Sequence, residues 1–521
     1  MPSIVLATLN ARYLHASLGL RYLFANLGEL QSQASIAEFV LGTRPLDVVE
    51  ALLKEEPRIV GFGVYIWNVD DTSRIIAMLK EVAPEVVVVA GGPEVSYEVG
   101  EQRICALADY VITGPGDATF AKLCAQVLSA RRPAARILAG EQVPLSSLAL
   151  PYSLYSDADI ASRFLYVEAS RGCPFKCEFC LSSLDRTAWP FDLERFLAEM
   201  QSLFERGARH FRFVDRTFNL NVSASRRILE FFLDRMDERL FVHFELIPDH
   251  LPDGLREAIA RFPAGSLHLE IGIQTFNPQV QALISRKQDN AKAQQNFVWL
   301  REHSTALIHA DLIAGLPGED LASFGQGFDR LHAMRPHEIQ VGILKRLRGT
   351  PIARHTEAFR MRYNPDPPYN VLATDRIGFA DMQRITRFSR YWEMVGNAGR
   401  FRRTLPVLLG GSSADAAGAG TSAVSPFGQF MRFSDWLFAT IRKTHEIALE
   451  RLFDAVLRYL VEERGIARES ASELVLADYE SSGAKGRLSF MKTGTGAGRA
   501  KFRGPAAERR ARVRQARHHD R

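Results

Sequence analysis

Three cysteines stand within eight residues of one another, in Arg171-Gly172-Cys173-Pro174-Phe175-Lys176-Cys177-Glu178-Phe179-Cys180, with gaps of three and two residues. The chain of 521 residues has only 5 cysteines, so their clustering is a chemical signal. A structural zinc site wants a fourth Cys or His at finger-like spacing, but the next histidine, His210, lies 30 residues downstream on a predicted strand. A disulfide is disfavoured, because three is odd and no secretory context is visible. Three thiolates on one short loop can instead hold three irons of a four-iron cluster and leave the fourth iron open to a ligand. Phe175 and Phe179 would pack around such a cluster and lower its exposure. The other two cysteines, Cys105 and Cys124, fall in predicted helical segments, Glu101 to Leu107 and Ala121 to Leu128, and read as small core residues.

The elements around this loop repeat as strand then helix six times. The predicted strands are Phe164 to Ala169, His210 to Val214, Phe241 to Leu246, Ser266 to Ile273, Ile308 to Ala314 and Glu338 to Leu344. Such alternation argues for a partial (β/α)6 TIM-type barrel over residues 164–351, with chemistry at the carboxyl ends of the strands. The polar residues there are Asp215 with Asn219, Glu245, Glu270 with Gln274, Arg286, and Asp311 through Gly315-Leu316-Pro317-Gly318-Glu319. Taken singly, each could equally be part of an ordinary ion pair at a barrel rim.

Ahead of the barrel, residues 1–135 alternate apolar runs with helical stretches. The runs are Ser3 to Leu9, Ile59 to Tyr65, Val86 to Ala90 and Tyr110 to Thr113, and unbroken Val/Ile runs read as parallel strands buried on both faces. The expected domain is α/β, Rossmann-like (flavodoxin-like), with ligands beyond the carboxyl ends of its strands. The loops at those ends are Asn10 to Gly19, Gly61 to Asn68, Ala90-Gly91-Gly92-Pro93-Glu94 and Gly114-Pro115-Gly116-Asp117, whose glycines would let a bulky ligand approach the backbone. On their own these loops fit a plain Rossmann-like scaffold as well.

In combination the motifs become specific. The Cys-x3-Cys-x2-Cys loop after a short apolar strand resembles the signature loop of the radical S-adenosylmethionine superfamily. The glycine loops before it resemble the cobalamin-binding domain of cobalamin-dependent radical S-adenosylmethionine enzymes. Gly272-Ile273-Gln274-Thr275 and Gly315-Leu316-Pro317-Gly318-Glu319 resemble segments of oxygen-independent coproporphyrinogen oxidases and of those cobalamin enzymes.

The resemblance implies three cofactors: a 4Fe-4S cluster on Cys173, Cys177 and Cys180, S-adenosylmethionine, and cobalamin. By carry-over, Asp215 takes the methionyl amine, Glu245 or Gln274 the ribose hydroxyls, and Arg286 the methionyl carboxylate, onto which a guanidinium forks. Gly91, Gly92, Gly114 and Gly116 would receive cobalamin. Cobalamin domains that ligate cobalt from below carry Asp-x-His-x-x-Gly after the first strand, whereas this chain has Asn10-Ala11-Arg12-Tyr13-Leu14-His15-Ala16-Ser17-Leu18-Gly19. His15 is therefore expected to be an ordinary loop residue, and cobalamin to bind without a protein histidine.

The implied activity is reductive cleavage of S-adenosylmethionine to a 5'-deoxyadenosyl radical, in an enzyme that methylates an unactivated carbon of an unknown substrate. Two other readings stay open. One is a cobalamin radical enzyme that rearranges or cyclises without transferring a methyl group; the other is a non-catalytic iron-sulfur protein that binds RNA or senses redox state. The domain order resembles an uncharacterised cobalamin radical family with a helical C-terminal domain, a likeness that runs to about residue 480 and names no substrate. No cysteine lies beyond position 180, so the C-terminal region cannot hold an auxiliary cluster through thiolates.

Residues 136–163 read as a linker and residues 352–480 as a helical domain, with a helix over Asp375 to Val395 capped by Thr374 and a flexible linker at 410–426. Phe427, Phe430, Phe433, Trp436 and Phe438 then precede an amphipathic helix with Leu449, Leu452, Phe453, Val456 and Leu460 on one face, and the aromatic group reads as core. Residues 481–521 form a basic tail expected to be disordered. The formal charge of +5 is a property of that tail: residues 499–521 hold nine Lys/Arg against Glu508 and Asp520, leaving the body near neutral. Weak nucleic-acid contact is expected of the tail alone.

At 46% hydrophobic the chain can bury large cores. No apolar run approaches 18 residues and the N-terminus lacks the features of a signal peptide, so no membrane span and a reducing cytoplasm are expected. The implied partners are a small-molecule or peptide substrate and a one-electron reductant such as flavodoxin or ferredoxin.

Overall fold

A computed structural model describes residues 1–185, 187–410 and 425–491. They fall into two compact units: residues 1–245, 345–354 and 363–370 form the first, and residues 246–344, 355–362 and those from 371 onward form the second. The linker expected at 410–426 lies almost entirely outside the described residues, as does the basic tail from residue 492.

The first unit opens with a wholly parallel sheet of β1 (Ile4–Asn10), β2 (Ala34–Val40), β3 (Ile59–Gly63), β4 (Val87–Gly91), β5 (Tyr110–Thr113) and β6 (Ile137–Ala139). Their order is β2-β1-β3-β4-β5-β6. The period of two explains why the valine run of β4 has no polar face: Val88 and Ala90 join one core with Ile75, Ile76 and Leu79, while Val87 and Val89 join another with Leu20, Phe120 and Leu123. Helices on both faces supply these partners, as a doubly wound fold requires.

The two edge strands depart from the sequence reading. β2 is half-buried throughout and broken by Ser35 and Glu38, so it offers no continuous apolar run. β6 is three residues long, and it carries the sheet past residue 135 into the stretch that reads as a linker.

Downstream, β7 (Leu165–Val167) is followed by a hairpin in which β8 (Ser170–Arg171) pairs antiparallel with β9 (Trp189–Pro190). β10 (His210–Phe213) pairs parallel with β7 and with β11 (Phe241–Leu246). The helices between them, Leu193–Glu205 and Val222–Leu233, start at Asp192 and Asn221, whose side chains accept backbone N–H groups of the first turn. Phe196 and Phe232 pack edge-on against Phe213 from these helices. Late in the chain a segment returns to this unit. Arg348 pairs with Glu94 at 3.0 Å and Glu98 at 2.8 Å, and the Tyr369 hydroxyl donates to Glu94 at 2.8 Å.

The second unit contains β12 (Leu267–Gln274), β13 (Leu307–Ala314) and β14 (Glu338–Ile343), all parallel. The chain thus carries six strand-and-helix repeats, three in each unit. Along β12, Leu267, Leu269, Ile271 and Ile273 are buried, whereas His268, Glu270, Gly272 and Gln274 are half-buried on the other face.

Helices complete the second unit, and an aromatic core of Phe328, Phe388, Trp392, Phe427 and Phe430 joins them. The helix expected from Asp375 starts at Phe379 instead. Thr374 is not its cap: its hydroxyl accepts from the N–H groups of Arg376 and Ile377 and closes a separate turn. Helix Leu449–Glu462 buries Leu452, Phe453, Val456 and Leu460 as its periodicity predicts. Among the described residues no helix is long and apolar enough to cross a membrane.

Candidate active site

The carboxyl ends of β3, β4 and β5, with the helices starting at Leu18 and Asp117, enclose a largely apolar cavity of ≈ 270 Å³ in the first unit. Gly91, Gly92, Gly114 and Gly116 all line it. Since one water occupies about 30 Å³, the space suits an organic group of many atoms. A Cβ at Gly91 would meet only the Ile112 carbonyl at 3.7 Å, so a side chain there would fill the cavity, whereas Gly114, though uncrowded, has φ +73° and would hold any side chain in strain. Gly92 differs. Its φ is +118° and a Cβ would stand 2.5 Å from the Val64 carbonyl oxygen, so the backbone itself demands glycine.

His15 is engaged elsewhere. Its Nδ1 lies 2.5 Å from the Tyr166 hydroxyl and its ring stacks on Tyr166. Burial, then the charges of Arg212 and Arg12, hold its pKa below that of an ordinary histidine.

The three cysteines follow the β8 turn. Gly172 has φ +88°, and a Cβ there would come within 3.0 Å of Ala188 and Asp185 backbone atoms. The loop is closed by Cys173 N–H donating to the Asp185 carbonyl at 2.8 Å and by the Ser183 hydroxyl donating to the carbonyls of Cys177 and Cys180. Cys173 and Cys177 are buried and Cys180 is half-buried. Burial, followed by the other two sulfurs, pushes the Cys173 thiol up to about 11, while Arg216 works in the opposite direction. Among the described residues no three His, Cys, Asp or Glu side chains gather around one single-ion position. Cys105 and Cys124 are core thiols, raised by burial to about 11 and about 12.

Asp215 lies under this loop. Its carboxylate accepts from Ala169 N–H at 3.0 Å and from the Ser170 hydroxyl at 2.6 Å, the two residues leading into the cysteine turn. Burial outweighs these donors and raises its pKa to about 7. Glu245, at the end of β11, accepts from Arg216 Nη1 at 2.7 and 2.9 Å.

Sequence reasoning assigned no role to Arg171, which ties the two halves of the unit together. Its Nη1 pairs with Asp117 of the cavity wall at 3.0 Å, its Nε donates to Glu168 at 2.8 Å, and its guanidinium stacks on Tyr22 at 4.3 Å. Glu168 is buried and its pKa is raised by that burial. The only available signal was the position of Arg171, two residues before Cys173.

In the second unit, Gln274 ends β12 with φ +67°, just past a register shift at Gly272. Its amide folds back over Gly272, where any Cβ would collide with Nε2, and its buried Oε1 has no hydrogen-bond partner. A non-glycine residue held in the left-handed region with an orphaned buried oxygen stores strain at the end of this strand. Arg286 donates to the Gly272 carbonyl and, through Nε, to Gln288 at 2.9 Å. The structure thus brings Gln274 and Arg286 to one strand end. Glu319, raised by burial to about 7, accepts from the Thr275 hydroxyl at 2.6 Å and so joins the Gly-Ile-Gln-Thr and Gly-Leu-Pro-Gly-Glu motifs.

Comparison with known proteins decides the family. Residues 167–331 match the Radical SAM superfamily model, and residues 4–124 match the B12 binding domain. The chain carries a radical SAM domain and a B12-binding domain. Residues 357–494 match a third model, described as Protein of unknown function (DUF4080). An uncharacterized methyltransferase of Pyrococcus horikoshii is 26% identical over 299 residues, covering 52% of this chain and 63% of that protein. The cobalamin-dependent radical SAM methyltransferase TokK of Streptomyces tokunonensis is 25% identical over 341 residues, covering 56% and 47%. The chain thus matches less than two thirds of either curated relative.

Among solved structures, the fold resembles OxsB with aqua-cobalamin bound (TM-score 0.58, 13% identity, 92% of this chain and 81% of that one). It also resembles the Kitasatospora setae methyltransferase TsrM (TM-score 0.56, 15% identity, 70% and 79%). The residues present fit the three cofactors of this class: a cavity that a side chain at Gly91 would fill, three thiols on one loop, and an orphaned amide oxygen at Gln274.

Proposed function

We propose that this protein is a cobalamin-dependent radical S-adenosylmethionine methyltransferase acting on an unactivated carbon of a substrate yet to be named. The observation that carries the reading is Arg171. One guanidinium contacts both the wall of the glycine cavity, through Asp117, and the strand leading into the cysteine turn, through Glu168. The link supports the reading by fixing the glycine cavity and the cysteine turn together within one unit. Both of these curated relatives are named methyltransferases, which favours methyl transfer over rearrangement.

When bound, the cluster and S-adenosylmethionine supply a 5'-deoxyadenosyl radical and cobalamin carries the methyl group. The chain's own residues position and shield. Cys173, Cys177 and Cys180 would hold three irons, and the Ser183 and Asp185 contacts keep their loop closed. Asp215 fixes the approach to that loop and offers a carboxylate to the methionyl amine. Gln274 offers Oε1 to a ribose hydroxyl, and Arg286, braced on the Gly272 carbonyl, its guanidinium to the methionyl carboxylate. Gly91 and Gly114 leave space that cobalamin would occupy.

The test is anaerobic turnover of reconstituted protein with a low-potential reductant, S-adenosylmethionine carrying a deuterated methyl group, and metabolites from a strain lacking the gene. The expected result is a product heavier by the labelled methyl, with 5'-deoxyadenosine and S-adenosylhomocysteine formed in equal amounts. 5'-Deoxyadenosine formed with no label in any product would replace methyl transfer by rearrangement.

A further inference from the structure

Arg212 is a charge without a partner. It stands in β10 between Phe211 and Phe213, which are buried against the helices of the first unit, so by the period of two its side chain leaves on the opposite face. In register it lies between Tyr166 of β7 and His243 of β11, whose side chains share that face. Its Nε is buried without a hydrogen-bond partner. Its two Nη atoms stay accessible, and no group among the described residues accepts from them. What the guanidinium touches is the Phe164 ring, 4.1 Å away.

The neighbouring carboxylates are already matched. Glu245, two residues beyond His243, receives Arg216, and Glu168, two beyond Tyr166, receives Arg171. The charge of Arg212 therefore reaches past its own position: after burial, it is the largest influence that holds the His15 pKa down, leaving a neutral ring against the Tyr166 hydroxyl. A half-buried guanidinium left without an acceptor costs the fold stability. The contact with Phe164 returns part of that cost but satisfies none of the N–H donors. The fold by itself therefore gives no reason for an arginine here.

We infer that Arg212 receives a carboxylate of the substrate, which names the chemical class of that substrate and rests on the methyltransferase reading above. A carboxylate fits because its two oxygens match two parallel N–H donors of one guanidinium. A phosphate dianion asks for a second cation, and the His15 ring nearby is neutral. Phe164 and Tyr166 flank the guanidinium and give the organic part of an acid an aromatic wall. Asp215, which holds the approach to the cysteine turn, follows three residues later, about 10 Å at the rise of a strand. The substrate is thus a small carboxylic acid, with its anionic end at Arg212 and its methylated carbon within about 10 Å of that end.

The test uses the full chain with its cluster, cobalamin and saturating S-adenosylmethionine, which fills the site proposed at Arg286. Anaerobic calorimetry then compares 3-phenylpropionate with its uncharged amide. The acid should bind saturably at one site, about tenfold or more tighter than the amide. Arg212→Gln should lower the acid to the level of the amide, and Arg212→Lys, which keeps the charge but not the fork, should lie between. Arg212→Gln should melt at or above the wild-type temperature, because it removes an unpaired charge, and should keep its iron content and S-adenosylmethionine affinity. Both variants retain the basic residues of 499–521, so anion binding by that segment would survive the substitution. Equal binding of acid and amide, acid binding unchanged in Arg212→Gln, or a clear fall in the melting temperature of that variant would overturn the inference. The labelled-methyl assay separates this outcome from failure of the underlying reading. Absence of any labelled product would remove methyl transfer while the contrast between acid and amide stood; a labelled product with no carboxylate would keep methyl transfer and overturn the role of Arg212.

Discussion

The carboxyl group of Asp215 should make S-adenosylmethionine binding depend on pH in a way that a variant can isolate. Burial raises its pKa from the ordinary 3.8 to about 7. One pH unit is worth about 1.4 kcal/mol, so the carboxylate form carries a cost of about 4 kcal/mol in the folded protein. A raised carboxyl pKa means that the protonated form is preferred on folding. Asp215 therefore costs nothing below about pH 4, and its cost grows until about pH 7, above which it is constant. A cationic amine placed on this group recovers part of that cost, but only from the ionised form. Affinity should thus rise up to tenfold per pH unit between about 5 and 7 and flatten just above, before the amine itself loses its proton near pH 8. Asp215→Asn keeps one acceptor for Ala169 or Ser170 and removes the titration; its affinity should be weaker by about 1 to 3 kcal/mol at pH 8 and flat with pH. Anaerobic equilibrium dialysis of labelled S-adenosylmethionine from pH 5.5 to 8 reads both quantities. A flat profile in the wild type, or the same slope in Asp215→Asn, would refute the contact between Asp215 and the amine.

Cys173→Ala, Cys177→Ala and Cys180→Ala should each lose the four-iron cluster, while Cys105→Ala and Cys124→Ala keep it; iron and sulfide counts at wild-type level in Cys177→Ala would refute the cluster assignment. Gly91→Val should weaken cobalamin about tenfold or more with little change in melting temperature, because its side chain enters the cavity. Gly92→Ala should destabilise the fold by about 1 to 3 kcal/mol through its left-handed φ and the Val64 carbonyl, a difference that denaturant melts would expose. His15→Ala should retain cobalamin with an unchanged visible spectrum, since its ring is held by Tyr166; a shifted spectrum would show that the imidazole reaches cobalt.

Much of this was legible because chemistry and core strands leave local marks. The Cys173-Cys177-Cys180 spacing and the Val86 to Val89 run are short-range patterns, and the first has one economical explanation while the second has one burial. Edge strands leave weaker marks: Ser35 and Glu38 interrupt β2, Glu38 as the buried partner of Arg21 and Arg163, and β6 is too short for any periodicity. Thr374 has the composition of a cap, yet its hydroxyl closes a turn two residues on. Gln274 could be chosen for its amide, but its left-handed φ and orphaned oxygen belong to the backbone of the finished sheet. Gly92 was expected to make way for a cofactor, and the structure shows that it makes way for Val64. The Arg171 to Asp117 pair joins residues 54 apart, so no window along the chain could have displayed it.

The return of residues 345–354 and 363–370 to the first unit limits how this protein can be taken apart. Neither unit is an unbroken stretch of chain, although the sequence invites cuts near residues 135, 163 and 351. Ending the polypeptide at 351 would keep Arg348 but discard Tyr369, leaving Glu94, beside the glycine cavity, buried without its neutral donor at a cost of about 1 to 3 kcal/mol. The portion matched by the model of unknown function therefore begins upstream of a residue that the cofactor-binding portion needs. Such interleaving ties the inheritance of the helical C-terminal region to that of the cofactor-binding region: they can be lost or exchanged together far more easily than separately.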